Sequence, residues 1–152
     1  MTIKEEICLA RQEIVRHKSY LARLTKTLDD LVSKDIKQRV NKAFRILRKD
    51  GVIARQNFMC CSSCATAALE PIWKKTGKTK IVYYHKQDGE SFNKGYNLTI
   101  RYGHSSDDKD KTRDLGIHVT NILVFVGLVY DWDGDPEKTI QVGVALGVND
   151  GE

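Results

Sequence analysis

The chain has 152 residues, of which 41% are hydrophobic and 30% are charged, and this composition excludes a disordered segment. A chain of this length can form one sizeable core without needing disulfides or a metal in order to fold. The longest apolar run, residues 117–130, is too short to span a membrane, and the chain begins without an apolar signal segment. We therefore expect a cytoplasmic protein that has no membrane contact and keeps its thiols reduced.

The net charge of +5 is concentrated in the first part of the chain. Residues 1–59 hold 14 Lys/Arg against 7 Asp/Glu, a net charge of +7, and the remainder holds 11 against 13, a net charge of −2. A basic surface of this kind favours nucleic acid or an acidic partner, and it is also typical of a solvated helix face.

The first predicted element is a long helix over residues 2–31, because apolar residues recur there every seven positions. One seam position holds Ile7, Ile14, Leu21 and Leu28, and the other holds Ile3, Ala10, His17, Leu24 and Leu31. Either an antiparallel hairpin with the next helix or a self-associating coiled coil explains this pattern. The polar His17 is compatible with a register-setting seam residue and with an ordinary hydrogen-bonded histidine.

A second helix is predicted over residues 33–49, with Ser33 or Asp35 as its N-cap and Gly51 after its end. A short strand is expected at residues 52–54. The chain is therefore assigned a helical N-terminal region, residues 1–50, and an α+β domain, residues 51–152, which together form one compact unit.

The later elements alternate between helices and strands. We expect a helix from Cys64 to about Leu69, capped by Ser62 or Ser63 and kinked or ended by Pro71. A further helix is expected over 115–129, capped by Asp114. Strands are expected at 80–85, 96–102 and 139–148, polar loops at 87–95 and 104–113, and a turn at 131–136. The fold class is α+β: an N-terminal helical hairpin followed by a small mixed or antiparallel sheet with helices packed on one face.

Cys60, Cys61 and Cys64 form the most distinctive cluster in the sequence. They are candidate metal ligands, with His85 or Cys8 completing a zinc site. Cys61 and Cys64 are also candidate catalytic thiols, because a helix N-terminus stabilises a thiolate. The third interpretation is structural, since buried cysteines behave as small apolar residues.

Two polar turns are further candidates. His85 and Asp88 leave a strand together, which is a common placement for catalytic acid and base groups and is equally typical of a capped turn. The segment 131–136 lacks the Gly and Glu spacing of an EF-hand, so we interpret it as an Asp-rich turn in which Trp132 packs on the sheet or flanks a pocket.

The chain resembles a bacterial family of domains of unknown function over roughly residues 40–145. The matching motifs are Ala-Arg-x-Asn-Phe-x-Cys-Cys-x-x-Cys at 54–64, His-x-Gln-Asp-x-Glu at 85–90, Tyr-Gly at 102–103 and Trp-Asp-Gly-Asp-Pro at 132–136. This chain has Ala65 where the family has glycine, and its N-terminal region differs. The resemblance implies that the residues of these motifs form one site. We therefore expect a binding cleft beside the cysteines, lined by Arg55, Asn57, Gln87, Trp132, Asp133 and Asp135.

We expect a small protein that binds a protein partner or a second copy of itself through its N-terminal helices, rather than an enzyme. The alternative is a metal-binding or cysteine-dependent enzyme that uses the cysteine cluster and His85, with zinc as the expected metal. The third hypothesis is nucleic-acid binding by the basic helices.

Overall fold

The computed structural model describes residues 2–143, apart from the side chains of Asp29 and Ser33. Its elements in chain order are α1 (Ile3–Lys49), β1 (Ile53–Arg55), α2 (Ser62–Thr76), β2 (Lys80–Tyr83), α3 (Lys86–Asn93), β3 (Leu98–His104), α4 (Lys109–Phe125), β4 (Tyr130–Asp131) and β5 (Ile140–Val142). The predicted α+β class and mixed sheet are confirmed. None of the helices in the described part combines the length and apolar character needed to cross a bilayer.

The predicted helical hairpin is wrong, because α1 is one continuous helix of 47 residues. Neither a glycine nor a proline interrupts residues 31–36, so nothing in that stretch forces the helix to stop. Ser33 and Asp35 therefore lie inside the helix instead of capping a second one.

The chain divides into two compact units between Asp35 and Ile36, whereas the sequence placed its boundary at residue 50. The second unit includes the end of α1 because that part carries a buried apolar face. Its buried residues are Ile36, Val40, Ala43, Phe44 and Leu47.

Within residues 2–143, five strands form one sheet in the order β1-β2-β3-β5-β4. β1 pairs with β2 in parallel, and the other three pairings are antiparallel. Among the described strands, β5 lies between β3 and β4, so β4 is at the edge of the sheet opposite β1. The segments that follow β1 and β4 therefore leave the sheet from opposite edges.

Helices pack on both faces of the sheet, so the predicted packing on one face is wrong. Successive residues of β2 point to opposite faces. Val82 joins the large core formed with α1 and α4, whereas Ile81 and Tyr83 join a smaller core formed with α2. This division puts the helix that carries the cysteines on the face opposite α4.

Two helices extend beyond their predicted limits, α2 at its C-terminus and α4 at its N-terminus. α2 continues through Pro71 to Thr76 because Ile72 and Trp73, which follow the proline, pack on the smaller core. α4 begins at Lys109, where the Asp108 side chain accepts hydrogen bonds from two backbone N–H groups, rather than after Asp114.

The polar loop predicted at residues 87–95 is instead helix α3, which the sequence interpretation missed. At the C-terminal end of the chain, the predicted strand 139–148 contains β5, and its residues 144–148 lie outside the described part.

Candidate functional site

A short loop between β1 and α2 delivers the three cysteines. Two of its residues, Asn57 and Met59, adopt left-handed backbone conformations with φ of 53° and 61°. The loop is fixed by two backbone hydrogen bonds: Phe58 N–H donates to the Tyr84 carbonyl at 2.8 Å, and Lys86 N–H donates to the Met59 carbonyl at 2.9 Å. The segment that follows β2 therefore holds the loop in the conformation that presents the cysteines.

The cysteines form a compact group of sulfur atoms at the N-terminus of α2. Cys61 is the N-cap residue, and its Sγ lies 3.7 Å from that of Cys60. The Cys60 and Cys64 sulfurs are 3.3 Å apart, and all three lie within 4.8 Å of one another. Cys60 and Cys64 are exposed, Cys61 is half-buried, and all are free thiols. Their exposure argues against the interpretation of the cluster as buried apolar packing.

The group titrates unevenly because the three sulfurs share hydrogen bonds. A hydrogen bond from the Cys64 backbone N–H, helped by bonds from the Cys60 and Cys64 thiols, lowers the pKa of Cys61 to about 7. The hydrogen bonds that Cys64 shares with the Cys60 and Cys61 side chains raise the pKa of Cys64 to about 11. One thiolate thus forms near neutral pH while its neighbour stays protonated.

This ordering predicts that Cys61 is alkylated faster than the exposed Cys8 in reduced, metal-free protein. At pH 7 a thiol with a pKa of about 7 is half ionised, against about 1% for a thiol at the ordinary value of 9.0. Because such a thiolate is intrinsically less nucleophilic, the rate advantage from ionisation is reduced roughly tenfold. We therefore expect about fivefold faster iodoacetamide labelling. Mass-spectrometric mapping across pH 5–9 measures it, and equal rates at Cys8 and Cys61 at pH 7 would contradict the assignment.

His85 and Asp88 form a capping box rather than an open acid–base pair. The Asp88 N–H donates to His85 Nδ1 at 3.2 Å, and the Asp88 carboxylate accepts the His85 N–H at 3.2 Å. Arg101 on β3 donates to the same carboxylate through Nε at 3.1 Å and Nη2 at 3.3 Å. His85 and Asp88 are both buried. The network therefore fixes the start of α3.

His85 does not join the cysteine sulfurs in the described residues, where the potential metal-ligand group contains Cys60, Cys61 and Cys64. Its Nδ1 accepts the Asp88 backbone N–H, so this nitrogen is already occupied by the cap of α3. Metal ligation through Nδ1 would require this cap to break. The candidate role of His85 as a fourth zinc ligand is therefore not supported by its geometry.

Arg55 and Asn57, which lie near the cysteine loop, line different pockets. Arg55 is exposed and lines an open depression with Arg48 and Thr76 beside β1. Asn57 lines a different, smaller pocket, and its side chain approaches Gly89 so closely that a Cβ there would lie 2.5 Å from Oδ1. Gln87 is exposed in the first turn of α3.

The Trp132 turn is organised by its own contacts. Trp132 Nε1 donates to the Asp135 carbonyl at 3.0 Å, and its ring packs edge-on against Tyr102 with centroids 5.9 Å apart. Asp133 accepts the Asp135 N–H at 3.0 Å and pairs with Lys138 at 2.8 Å. The turn has a structural explanation that requires no ligand.

The cysteine motif and the Trp132 motif do not line the single cleft that the family resemblance predicted. The cysteine loop follows the edge strand β1, whereas Trp132 follows β4 at the opposite edge, about 19 Å away for four strand spacings. Trp132 also packs on the larger core, while the helix that begins at Cys61 packs on the smaller core across the sheet. Asp133 and Asp135 therefore lie apart from the cysteine group.

Two residues that support the site were missing from the sequence interpretation. Arg101 binds Asp88, and Tyr84 accepts the hydrogen bond that holds the loop. Both lie on predicted strands, but their roles depend on strand pairing, such as Tyr83 opposite Arg101, which one sequence does not specify.

Fold and site together define an α+β protein with an exposed group of three cysteines at a helix N-terminus. Residues 10–146 match the model of a family described as a domain of unknown function, DUF6891, and the chain belongs to this family. The match begins well before the resemblance placed at residue 40 and includes most of α1. Searches of curated proteins and of solved structures gave no match.

Proposed function

We propose that this protein binds a thiophilic divalent cation, zinc in the first place, through Cys60, Cys61 and Cys64. The observation that carries the proposal is the convergence of three free sulfurs within 4.8 Å of one another. Thiolates are preferred zinc ligands in proteins, and three from one short segment form a tight chelate.

The sulfur spacing suits a tetrahedral ion. Zinc–sulfur bonds of about 2.3 Å at tetrahedral angles place two sulfurs about 3.8 Å apart. The observed separations of 3.3 Å and 3.7 Å, with 4.8 Å as the upper limit, bracket this value. Small side-chain rotations would therefore bring the three sulfurs onto one face of a tetrahedron.

The fourth coordination position would be supplied from outside this group. In the part of the chain that the structure describes, no histidine or carboxylate lies with the three sulfurs. Three protein ligands with an open fourth position are typical of zinc sites that bind water or a substrate. The proposed site is thus suited either to catalysis at the metal or to capture of a ligand from a partner molecule.

Removing one sulfur is expected to abolish tight binding without unfolding the protein. We predict that Cys64→Ser weakens zinc binding at least 100-fold, since even the loss of groups that only orient metal ligands costs roughly 10–100-fold. The matched control is Cys8→Ser, which removes an exposed thiol from α1 and should leave the affinity unchanged. Competition titration of the reduced proteins with a zinc chelator measures both affinities.

Equal affinities for wild type and Cys64→Ser would overturn the proposal. A wild-type protein that binds no zinc, but labels rapidly at Cys61, would instead favour the reactive-thiol alternative. The nucleic-acid hypothesis stays a prediction, and an affinity that falls steeply with salt concentration is its test.

A further inference from the structure

The first part of α1 carries an apolar stripe that is exposed to solvent. Its apolar residues, other than Ala10, each expose between 42% and 75% of their surface: Ile3, Ile7, Ile14, Leu21, Leu24, Leu28 and Leu31. They occupy the two seam positions of four consecutive heptads, a and d in coiled-coil notation, with Ile7 at position a. We call this set the seam stripe.

The predicted fold-back of residues 33–49 does not explain the seam stripe. The antiparallel-hairpin explanation required residues 33–49 to form a separate helix that returns along the first. α1 is instead one continuous helix from Ile3 to Lys49, and its later residues face the core of the second unit. A stripe of this length and exposure is typical of a helix that pairs with another helix.

The charges that flank the seam stripe indicate which helix pairs with it and in which direction. The g positions beside the first heptads hold Glu6 and Glu13, and the following e positions hold Arg11 and Lys18. In a parallel, in-register pair, g of one helix meets e of the next heptad on the other. Glu6 would then face Arg11 of a second copy, and Glu13 would face Lys18.

The antiparallel arrangement forms no such pairs, because g positions there face g positions and e positions face e positions. With residues 3–31 overlapped, Glu6 would face Thr27 of the second copy, Glu13 would face Tyr20, and the two Lys18 side chains would face each other. None of the four charged g and e side chains forms an ion pair within the described residues, so all are free to pair with another helix.

We infer that a second copy of this chain covers the seam stripe, forming a parallel, two-stranded coiled coil over residues 3–31. Isoleucine at the a positions of the first two heptads (Ile7, Ile14) is the choice that favours two strands, and the last two heptads hold leucine at both a and d. His17 at a d position supplies the single polar seam residue that sets register and number of strands. This inference is independent of the metal proposal.

The first test compares two neighbouring residues of the full-length chain by sedimentation equilibrium. Ile14 lies in the seam and Val15 at the adjacent b position, and both are exposed β-branched residues. Ile14→Asp should raise the dimer dissociation constant at least 100-fold, whereas Val15→Asp should change it less than threefold. Neither residue is buried in the chain by itself, so both variants should fold.

A wild-type chain that stays monomeric up to about 100 µM, or forms trimers or tetramers, would overturn the inference, since specific dimers hold together well below that range. Equal effects of the two aspartate substitutions would overturn it as well, because only the seam position is buried in the proposed dimer.

The second test examines helix direction. Glu6→Lys with Glu13→Lys should weaken a parallel dimer at least tenfold at low salt, and adding Arg11→Glu with Lys18→Glu should restore it. In an antiparallel dimer Glu6 and Glu13 would face the uncharged Thr27 and Tyr20, so the first pair of substitutions changes no charge–charge contact. An unchanged dissociation constant for that variant would therefore exclude the parallel arrangement.

Discussion

Asp88→Ala is expected to destabilise the fold by about 2–4 kcal/mol, because it removes the acceptor of a buried network. The Asp88 side chain is 8% exposed and accepts hydrogen bonds from the His85 backbone and from Arg101. Alanine would leave the buried His85 N–H and the guanidinium without this partner. The expected loss is below that of a fully buried ion pair because the Arg101 side chain is 29% exposed.

The matched control is Asp110→Ala, which breaks a second Asp–Arg pair in the first turn of a helix. Asp110 pairs with Arg113 at 3.1 Å, but its side chain is 88% exposed. Surface pairs of this kind contribute about 0–1 kcal/mol, so the control should be nearly neutral. Urea unfolding of the full-length variants measures both changes, and similar values for the two would contradict the structural role of Asp88.

Phe44→Ala is expected to cost about 3–5 kcal/mol, the usual range for deleting a fully buried aromatic ring. Phe44 has no exposed surface and packs edge-on against Tyr84, with ring centroids 5.6 Å apart. The carbonyl of Tyr84 accepts the hydrogen bond from Phe58 that holds the cysteine loop. The cavity left by alanine therefore lies directly behind the support of the site.

Phe125→Ala is the control, because the Phe125 side chain is 75% exposed. The Nζ atom of Lys42 lies 5.9 Å from the centroid of the Phe125 ring. Loss of an exposed cation–π contact costs about 0.5–1 kcal/mol. By differential scanning calorimetry, Phe44→Ala should lower the melting temperature by roughly 10 °C, at about 2–4 °C per kcal/mol, and Phe125→Ala by only a few degrees. A smaller effect at Phe44 than at Phe125 would mean that this core is assigned incorrectly.

The helices were predictable where the signal is local, and less so where two local signals compete. The heptad repeat correctly predicted a helix over residues 2–31, but Ser33 and Asp35 were interpreted as caps. Both residues tolerate a helix interior, and the apolar face that starts at Ile36 continues the helix. In the same way, Asp88 and Gly89 were interpreted as loop residues. In the structure Asp88 forms a capping box at the start of α3. Gly89 lies so close to the Asn57 side chain that a Cβ atom would not fit there.

The candidate site was predictable in part, for a related reason. Cysteines within five residues of one another are bound to be close in space, so the sulfur cluster could be recognised from spacing alone. The expectation that Trp132 and Asp133 join it depended on strand order. A short hairpin carries β4 to the edge opposite β1, and one sequence contains no direct signal for that placement.

The most direct test of the metal proposal is the zinc content of full-length protein purified under reducing conditions without chelator, measured by elemental analysis together with a thiol titration. We expect about one zinc per chain, with Cys60, Cys61 and Cys64 protected and Cys8 reactive, and no zinc in Cys64→Ser. Metal-free protein that stays metal-free after incubation with zinc, with all four thiols reactive, would contradict the proposal.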